Sequence, residues 1–342
     1  MRSLNQSGPL PGESEASKAT EASETSAPLA GNGRPPHGVA TGPAPLAHQE
    51  CLLPRRGPGR ALLKRLYYSW AFRTLVYGPL DLLERTFRRR DPLVPPRRLQ
   101  YVGRGDFETI GVQWRDRLIQ GHGLQPDTDF LDLGCGVGRI AVALIPTLET
   151  GTYAGFDIVP PAISWCEREI TSRHPRFTFS LADVRNRQYN PHGSVAASEY
   201  VFPYPGDRFD LALASSVFTH MRPDGIRRYL AETARVLRPG GRLVSEFFLL
   251  DGTAVDSLEH GRTAFALDHE FRDESGTPFF GSDPRVPEYN VAIRAEDLQA
   301  MADDAGLRLE PIEYGRWSGR EGGPEGRFQD FVTLVKLGEG SA

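Results

Sequence analysis

From residue 130 onward, short apolar runs alternate with apolar positions at helical spacing. Phe130-Leu131-Asp132-Leu133 is an apolar run around a single acid, the pattern of a buried parallel strand. Gly134, Gly136 and Gly138 follow at alternate positions, and Ile140, Ala141, Leu144 and Ile145 then recur at helical spacing. Further strands are predicted over residues 152–157, 177–181, 209–214, 242–249, 307–313 and 331–336. Pro160-Pro161 opens a helix bearing Ile163, Cys166 and Ile170. A helix with Ile110, Trp114, Leu118 and Ile119 precedes the first strand and should end at Gly121 or Gly123. Regular alternation of strand and helix predicts an α/β fold, a parallel sheet with helices on both faces.

Upstream the pattern changes twice. Residues 1–50 are rich in Ser, Pro, Gly, Ala and Glu, with few large apolar side chains. They cannot bury enough surface to offset ordering entropy, so a disordered tail is expected. Residues 51–98 read as a basic amphipathic N-terminal extension and a Pro-rich linker. Within 55–98 there are twelve Arg/Lys against three acids, interleaved with Leu62, Leu63, Leu66, Tyr67, Trp70, Phe72, Leu75 and Val76. Pro79 should start a second short helix with Leu80, Leu83 and Phe87 on one face. Asp91-Pro92-Leu93-Val94-Pro95-Pro96 predicts an extended linker. A basic helix with Trp and Tyr over 55–90 suits peripheral contact with an anionic membrane. The plainer reading packs it on the rest of the chain with its arginines solvated.

Composition narrows the classes. The 342 residues carry a formal net charge of −4, and the basic cluster has no nucleic-acid fold around it, so no nucleic acid partner is expected. Cys51, Cys135 and Cys166 lack a Cys-x-x-Cys spacing, which suggests neither disulfide frame nor metal site. Without a secretion signal or an apolar run of about 20 residues, a cytoplasmic protein is expected, peripheral at the membrane on the first reading of 55–90.

A strand that breaks into glycines and restarts as a helix builds a nucleotide cradle. A dinucleotide fingerprint places glycines first, third and sixth. Counting from Gly134, the sixth position is Arg139 and the third glycine, Gly138, stands fifth. No Lys-Ser/Thr pair follows, so a P-loop is excluded. This Gly-x-Gly-x-Gly after an Asp-bearing strand resembles motif I of the class I S-adenosylmethionine (SAM) methyltransferases. The stretch from Phe209-Asp210-Leu211 to Phe218-Thr219-His220 is similar to the motif IV region, and Leu237-Arg238-Pro239-Gly240-Gly241 to the family's turn before strand 5. The resemblance covers about residues 107–337, within a domain placed at 99–342. It implies a Rossmann-like seven-stranded, mostly parallel sheet whose strand 7 runs antiparallel between strands 5 and 6. It also implies SAM as cofactor and methyl transfer, expected at an oxygen of a small molecule or a glycan or lipid precursor. Transfer to nitrogen or carbon, or a SAM-fold binding protein without turnover, are the alternatives. Ser215-Ser216-Val217-Phe218 stands where DNA amino-methylating enzymes carry Asn/Asp-Pro-Pro-aromatic, which argues against DNA bases.

Carried over onto this chain, the cofactor-binding set is Asp132, Gly134, Gly136, Gly138, Asp157, Ile158, Asp183, Val184 and Ser215. Asp157 ends the second strand about twenty residues past the glycine loop, where a carboxylate can accept both ribose hydroxyls. Asp183 would take the adenine amino group. His220, past the end of strand 4, is the candidate general base because imidazole titrates near neutrality. His269 with Glu270 is a second candidate. Two insertions, 186–193 and 251–293, should select the substrate, the latter as a lid carrying Phe265, Phe271, Phe279, Phe280 and Tyr289. Arg316, Trp317 and Arg320 would complete the rim. Local packing is the competing reading for these aromatics.

Overall fold

The computed structural model describes residues 70–87, 91–100, 106–320 and 327–338. The expected tail over 1–50 and the basic residues of 51–69 lie outside the described residues.

Strand β1 (Phe130–Leu133) is buried along its whole length, as a strand covered on both faces must be. It pairs in parallel with β2 (Tyr153–Asp157) and β4 (Phe209–Ala214). β3 (Phe177–Leu181) lies outside β2, and β5 (Leu237–Phe247) outside β4, both parallel. β11 (Asp330–Lys336) then runs antiparallel between β5 and β10 (Leu307–Leu309). The order β10-β11-β5-β4-β1-β2-β3 is the Rossmann-like seven-stranded sheet expected, with strand 7 antiparallel.

Alternate residues of each strand point to opposite faces, so the sheet carries two cores. Leu131, Leu133, Ala212 and Leu243 meet Tyr229 and Leu230 of α5 (Pro223–Val236) and Leu298 and Met301 of α7 (Ala295–Asp304). Phe130, Tyr153, Leu211 and Val244 meet Trp114 and Leu118 of α2 (Phe107–His122), Leu144 of α3 (Arg139–Leu144) and Ile163 of α4 (Pro160–Cys166). Each large side chain so buried contributes about 1.5–3 kcal/mol. Asp106 caps α2 by accepting the N–H of Thr109 at 2.8 Å, and Gly123, at φ 74°, ends it.

Several elements differ from expectation. Helix α1 (Trp70–Thr86) continues through Pro79 instead of restarting there. An internal proline forfeits a hydrogen bond, but Arg73 before it and Asp81 after it grip the same segment, 97–100, and hold one axis. The 91–96 stretch is no free linker: Pro95 and Pro96 are buried, and Leu93, Val94 and Leu99 join the α2–α3 core. β5 starts at Leu237, because Arg238 to Gly241 bulge out between the pairs Phe209–Leu237 and Leu211–Arg242. From that bulge Arg238 binds Asp210 at 2.5 Å and Asp129 at 2.7 Å. β10 stops early because Pro311 has no N–H to donate, although Glu310 and Glu313 still bond to β11.

The 251–293 insertion folds as α6 (Gly252–Glu259) and a hairpin of β7 (His269–Arg272) with β8 (Pro278–Gly281). Beyond it β9 (Ile293–Arg294) pairs in parallel with β6 (Leu249–Leu250). Trp317 is fully buried, not on a rim: its indole N–H donates to Asp330 at 2.7 Å, Phe265 stacks beside it, and Phe248 packs against it at a tilt. Phe271 stacks on the buried Phe279. For these aromatics, packing accounts for the position.

Candidate cofactor and acceptor site

Strands β1, β2, β4 and β5 end along one edge, where open α/β sheets hold ligands. At the end of β1 the N–H groups of Gly134 and Cys135 both bond to the carbonyl of Phe156 on β2. The loop then turns with Gly134, Gly136 and Gly138 at φ 71°, 54° and 70°, a region costly for residues with a Cβ. Their surroundings differ. A Cβ at Gly138 would stand 2.6 Å from Ile170 Cδ1, and one at Gly134 2.6 Å from Val217 Cγ2. A Cβ at Gly136 would meet nothing within 4 Å. Gly136 therefore faces open space at the sheet edge, as a cradle for a ligand requires.

Asp157 borders the same space. One carboxylate oxygen accepts the N–H of Gly136 at 2.8 Å and the other that of Val159 at 2.9 Å. Burial raises its carboxyl above the ordinary range, while these backbone donors pull the other way. Each carboxylate oxygen can accept more than one hydrogen bond, so two ribose hydroxyls suit it. Ile158, next in chain, packs against both cores.

The other expected ligands sit differently. Asp132 turns its carboxylate into the core, where it accepts the Tyr153 hydroxyl at 2.5 Å and braces β1 on β2. It is 2% exposed, and burial pushes it up to about 7. Its part in the loop is support and not, through that carboxylate, ligand contact. Asp183 is exposed and binds the backbone N–H and hydroxyl of Ser194, which belongs to the connection between β3 and β4. Val184 is buried and bridges Val195. The Ser215 hydroxyl donates at 2.8 Å to Glu246.

Glu246 was not among the expected residues. It lies at the C-terminal end of β5, and Ser216, at φ 55°, also donates to it at 3.4 Å. Burial raises its carboxyl, against the pull of Ser215 and the Arg117 guanidinium of α2. The signal for it was present: a lone acid in Leu243-Val244-Ser245-Glu246-Phe247-Phe248, the same mark that singled out Asp132.

His220 lies where both insertions converge. Its Nδ1 is 3.2 Å from the Glu288 carbonyl, its ring meets Tyr189 edge-on at 5.4 Å, and its own carbonyl accepts the Asn186 amide. The Glu288 partner requires the proton on Nδ1 and leaves Nε2 as an acceptor. Burial pushes the imidazole down to about 4, so it does not titrate near neutrality as expected. Beside these contacts, both amide atoms of Gln188, one carboxylate oxygen of Glu288 and the Thr219 hydroxyl are buried with no hydrogen-bond partner. Unmet buried polar atoms cost about 1–3 kcal/mol each, which a polar ligand would relieve. Of the second candidate pair, Glu270 bonds to Arg272 and His269 stands beside Phe271 on the hairpin.

Comparison with known proteins agrees with this geometry. Residues 130–241 match the family model of a methyltransferase domain. The phthiotriol/phenolphthiotriol dimycocerosates methyltransferase of Mycobacterium tuberculosis is 32% identical over 114 residues, 32% of this chain and 34% of that protein. The chain thus spans about a third of the length of the mycobacterial relatives it matches. The demethylmenaquinone methyltransferase of Thermus thermophilus is 26% identical over 60% of this chain and 86% of its own. The 27-O-demethylrifamycin SV methyltransferase of Amycolatopsis mediterranei is 33% identical over 42% of this chain and 47% of its own. Over residues 130–241, which carry the glycine loop and Asp157, this chain is similar to that methyltransferase domain family.

Proposed function

We propose that this chain transfers a methyl group from SAM to a hydroxyl oxygen of a small molecule or of a lipid or glycan precursor. The observation that carries the reading is Glu246: a carboxylate raised by burial, beside Ser215 at the C-terminal edge of the sheet. An alcohol is a poor nucleophile until its proton is shared with a base, and a carboxylate raised above its ordinary value by burial is a better base for it. The names of two relatives, which act on a demethylrifamycin and on phthiotriol dimycocerosates, point to the same acceptor classes.

SAM, when bound, would supply a methyl on a positively charged sulfonium, open to in-line displacement. Asp157 holds the ribose hydroxyls, and the glycine loop lets the backbone approach closely. His220, neutral and held by Glu288, offers Nε2 to orient the acceptor hydroxyl. Glu246 takes the proton. The buried, unpartnered polar atoms of Gln188 and Glu288 bind further hydroxyls or carbonyls of the acceptor, and the 251–293 insertion walls that side.

Incubation with methyl-labelled SAM and fractionated extract tests the reading. Label recovered as a methyl ether on a lipid or small molecule supports it. Label on nitrogen or carbon overturns the oxygen assignment, and SAM binding without any label transfer favours a binding protein.

A further inference from the structure

Helix α1 is docked with its polar side inward. Arg73, 3% exposed, donates to the carbonyls of Arg97 and Arg98 at 2.8 Å and of Gln100 at 3.3 Å. Asp81, 3% exposed, accepts the N–H of Arg97 at 2.7 Å and the Arg98 guanidinium at 3.0 Å. Glu84 pairs with Arg97 at 2.7 Å. Positions 73, 77, 81 and 84 form one stripe of a helix.

Beside and opposite that stripe the helix presents an aliphatic band to solvent. Leu75 is 76% exposed, Leu83 53%, Leu80 48% and Val76 45%, with Leu82 alongside at 65%. A helix on a soluble protein is ordinarily arranged the other way, apolar side inward. A contiguous apolar surface of this kind marks an interaction site.

Charge selects the occupant. Arg55, Arg56, Arg60, Lys64 and Arg65 precede the helix in sequence, and Arg85, Arg88, Arg89 and Arg90 follow its last apolar turn. The acids of the helix, Asp81 and Glu84, are committed to Arg97 and Arg98 on the inner side. An aliphatic band with cationic sequence flanks, its neighbouring acids already paired with arginines, complements an anionic bilayer. A second copy of the chain would bring like charges together. No helix among the described residues is long and apolar enough to cross a membrane, so this one would lie along the surface.

We propose that α1 is an interfacial helix that seats the chain on anionic lipid, with Leu75, Val76, Leu80, Leu82 and Leu83 at the acyl boundary. This inference does not depend on the acceptor proposed above.

The test is co-sedimentation of the full chain with vesicles of phosphatidylglycerol and phosphatidylcholine, and with phosphatidylcholine alone. The chain should partition to the anionic vesicles at least about tenfold more strongly, and high salt should weaken this. The Leu75→Ser/Leu83→Ser double variant should lose about tenfold or more of that partition. Both positions are exposed, so its thermal midpoint should stay at the wild-type value. If it melts early, Leu75→Ser and Leu82→Ser singly give the same readout. Equal binding to neutral and anionic vesicles, undiminished binding by folded variants, or a lipid-free dimer that the double variant dissolves would each overturn the proposal.

Discussion

The carboxylate of Asp157 and the backbone N–H of Gly136, twenty-one residues apart, are joined at 2.8 Å across the edge of the sheet. With Val159 on the other oxygen, the acid at the end of β2 is fixed by two backbone donors beside the open side of the glycine loop. A protein carboxylate held in advance loses little entropy when it accepts a ligand.

Asp157→Ala should therefore weaken SAM binding by about 2 kcal/mol, roughly 30-fold, through loss of two charge-assisted acceptors. Titration calorimetry on the purified variant measures it. Wild-type affinity in a folded variant would remove Asp157 from the site.

The three glycines should separate by substitution. Gly136→Ala places its methyl in open space, so its structural cost is the positive φ alone, about 1–2 kcal/mol. Its SAM affinity should fall much further, because the methyl occupies ligand space. Gly138→Ala adds a collision with Ile170 Cδ1 at 2.6 Å and should destabilise the fold more. Urea unfolding together with SAM titration of both variants checks the contrast. Equal stability losses, or a Gly136→Ala protein that binds SAM normally, would break it.

The sheet was legible because strands buried on both faces leave dense apolar runs, which the β1 and β4 boundaries follow, while the edge strand β3 shows alternating apolar and polar positions. Irregular pairing was harder to read. The bulge at Arg238 to Gly241 stays within β5 because residues beyond it recover register with β4, a non-local fact. Pro79 marks a helix start on local grounds, yet Arg73 and Asp81 carry the helix through it by long-range contacts. The glycines and Asp157 stand at fixed offsets along one strand–loop–helix–strand unit. His220 does not have the protonation expected of it, since its burial comes from insertions distant in sequence.

Two histidines bear on acid stability. Burial lowers His122 and His220 to about 4 from an ordinary 6.5. Below pH 6.5 the unfolded chain takes up these protons first, so each histidine's contribution is lost as pH falls from about 6.5 to 4. Asp132 and Asp330, raised to about 7 and about 6, act in the opposite sense, so the clean readout is a difference between proteins. His122 packs on Phe331 and its Nδ1 is buried without a partner, which makes His122→Phe a close replacement. Relative to wild type, this variant should gain on the order of 1–2 kcal/mol between pH 7 and pH 4.5. A pH-independent difference in urea unfolding would show that His122 titrates normally.

Burial also sets the division of labour at the acceptor. It keeps His220 neutral near pH 7, with Nδ1 committed to Glu288, and raises the Glu246 carboxyl above its ordinary value, which makes it a stronger base. Glu246→Gln preserves size and a hydrogen-bonding oxygen for Ser215 but cannot take a proton. It should lower kcat by roughly 10²–10⁴-fold with SAM affinity retained. The wild-type rate should fall at acid pH as Glu246 becomes protonated, with a midpoint above the ordinary glutamate value. His220→Gln keeps an acceptor atom near Nε2, so its effect should fall more on KM, with the acid limb unmoved. The pH–rate profiles of the three proteins decide between the two residues. A Glu246→Gln enzyme within about threefold of wild type, with the acid limb intact, would sink the assignment. If the limb instead disappears in His220→Gln, the proton goes to the imidazole and Glu246 serves only to hold Ser215.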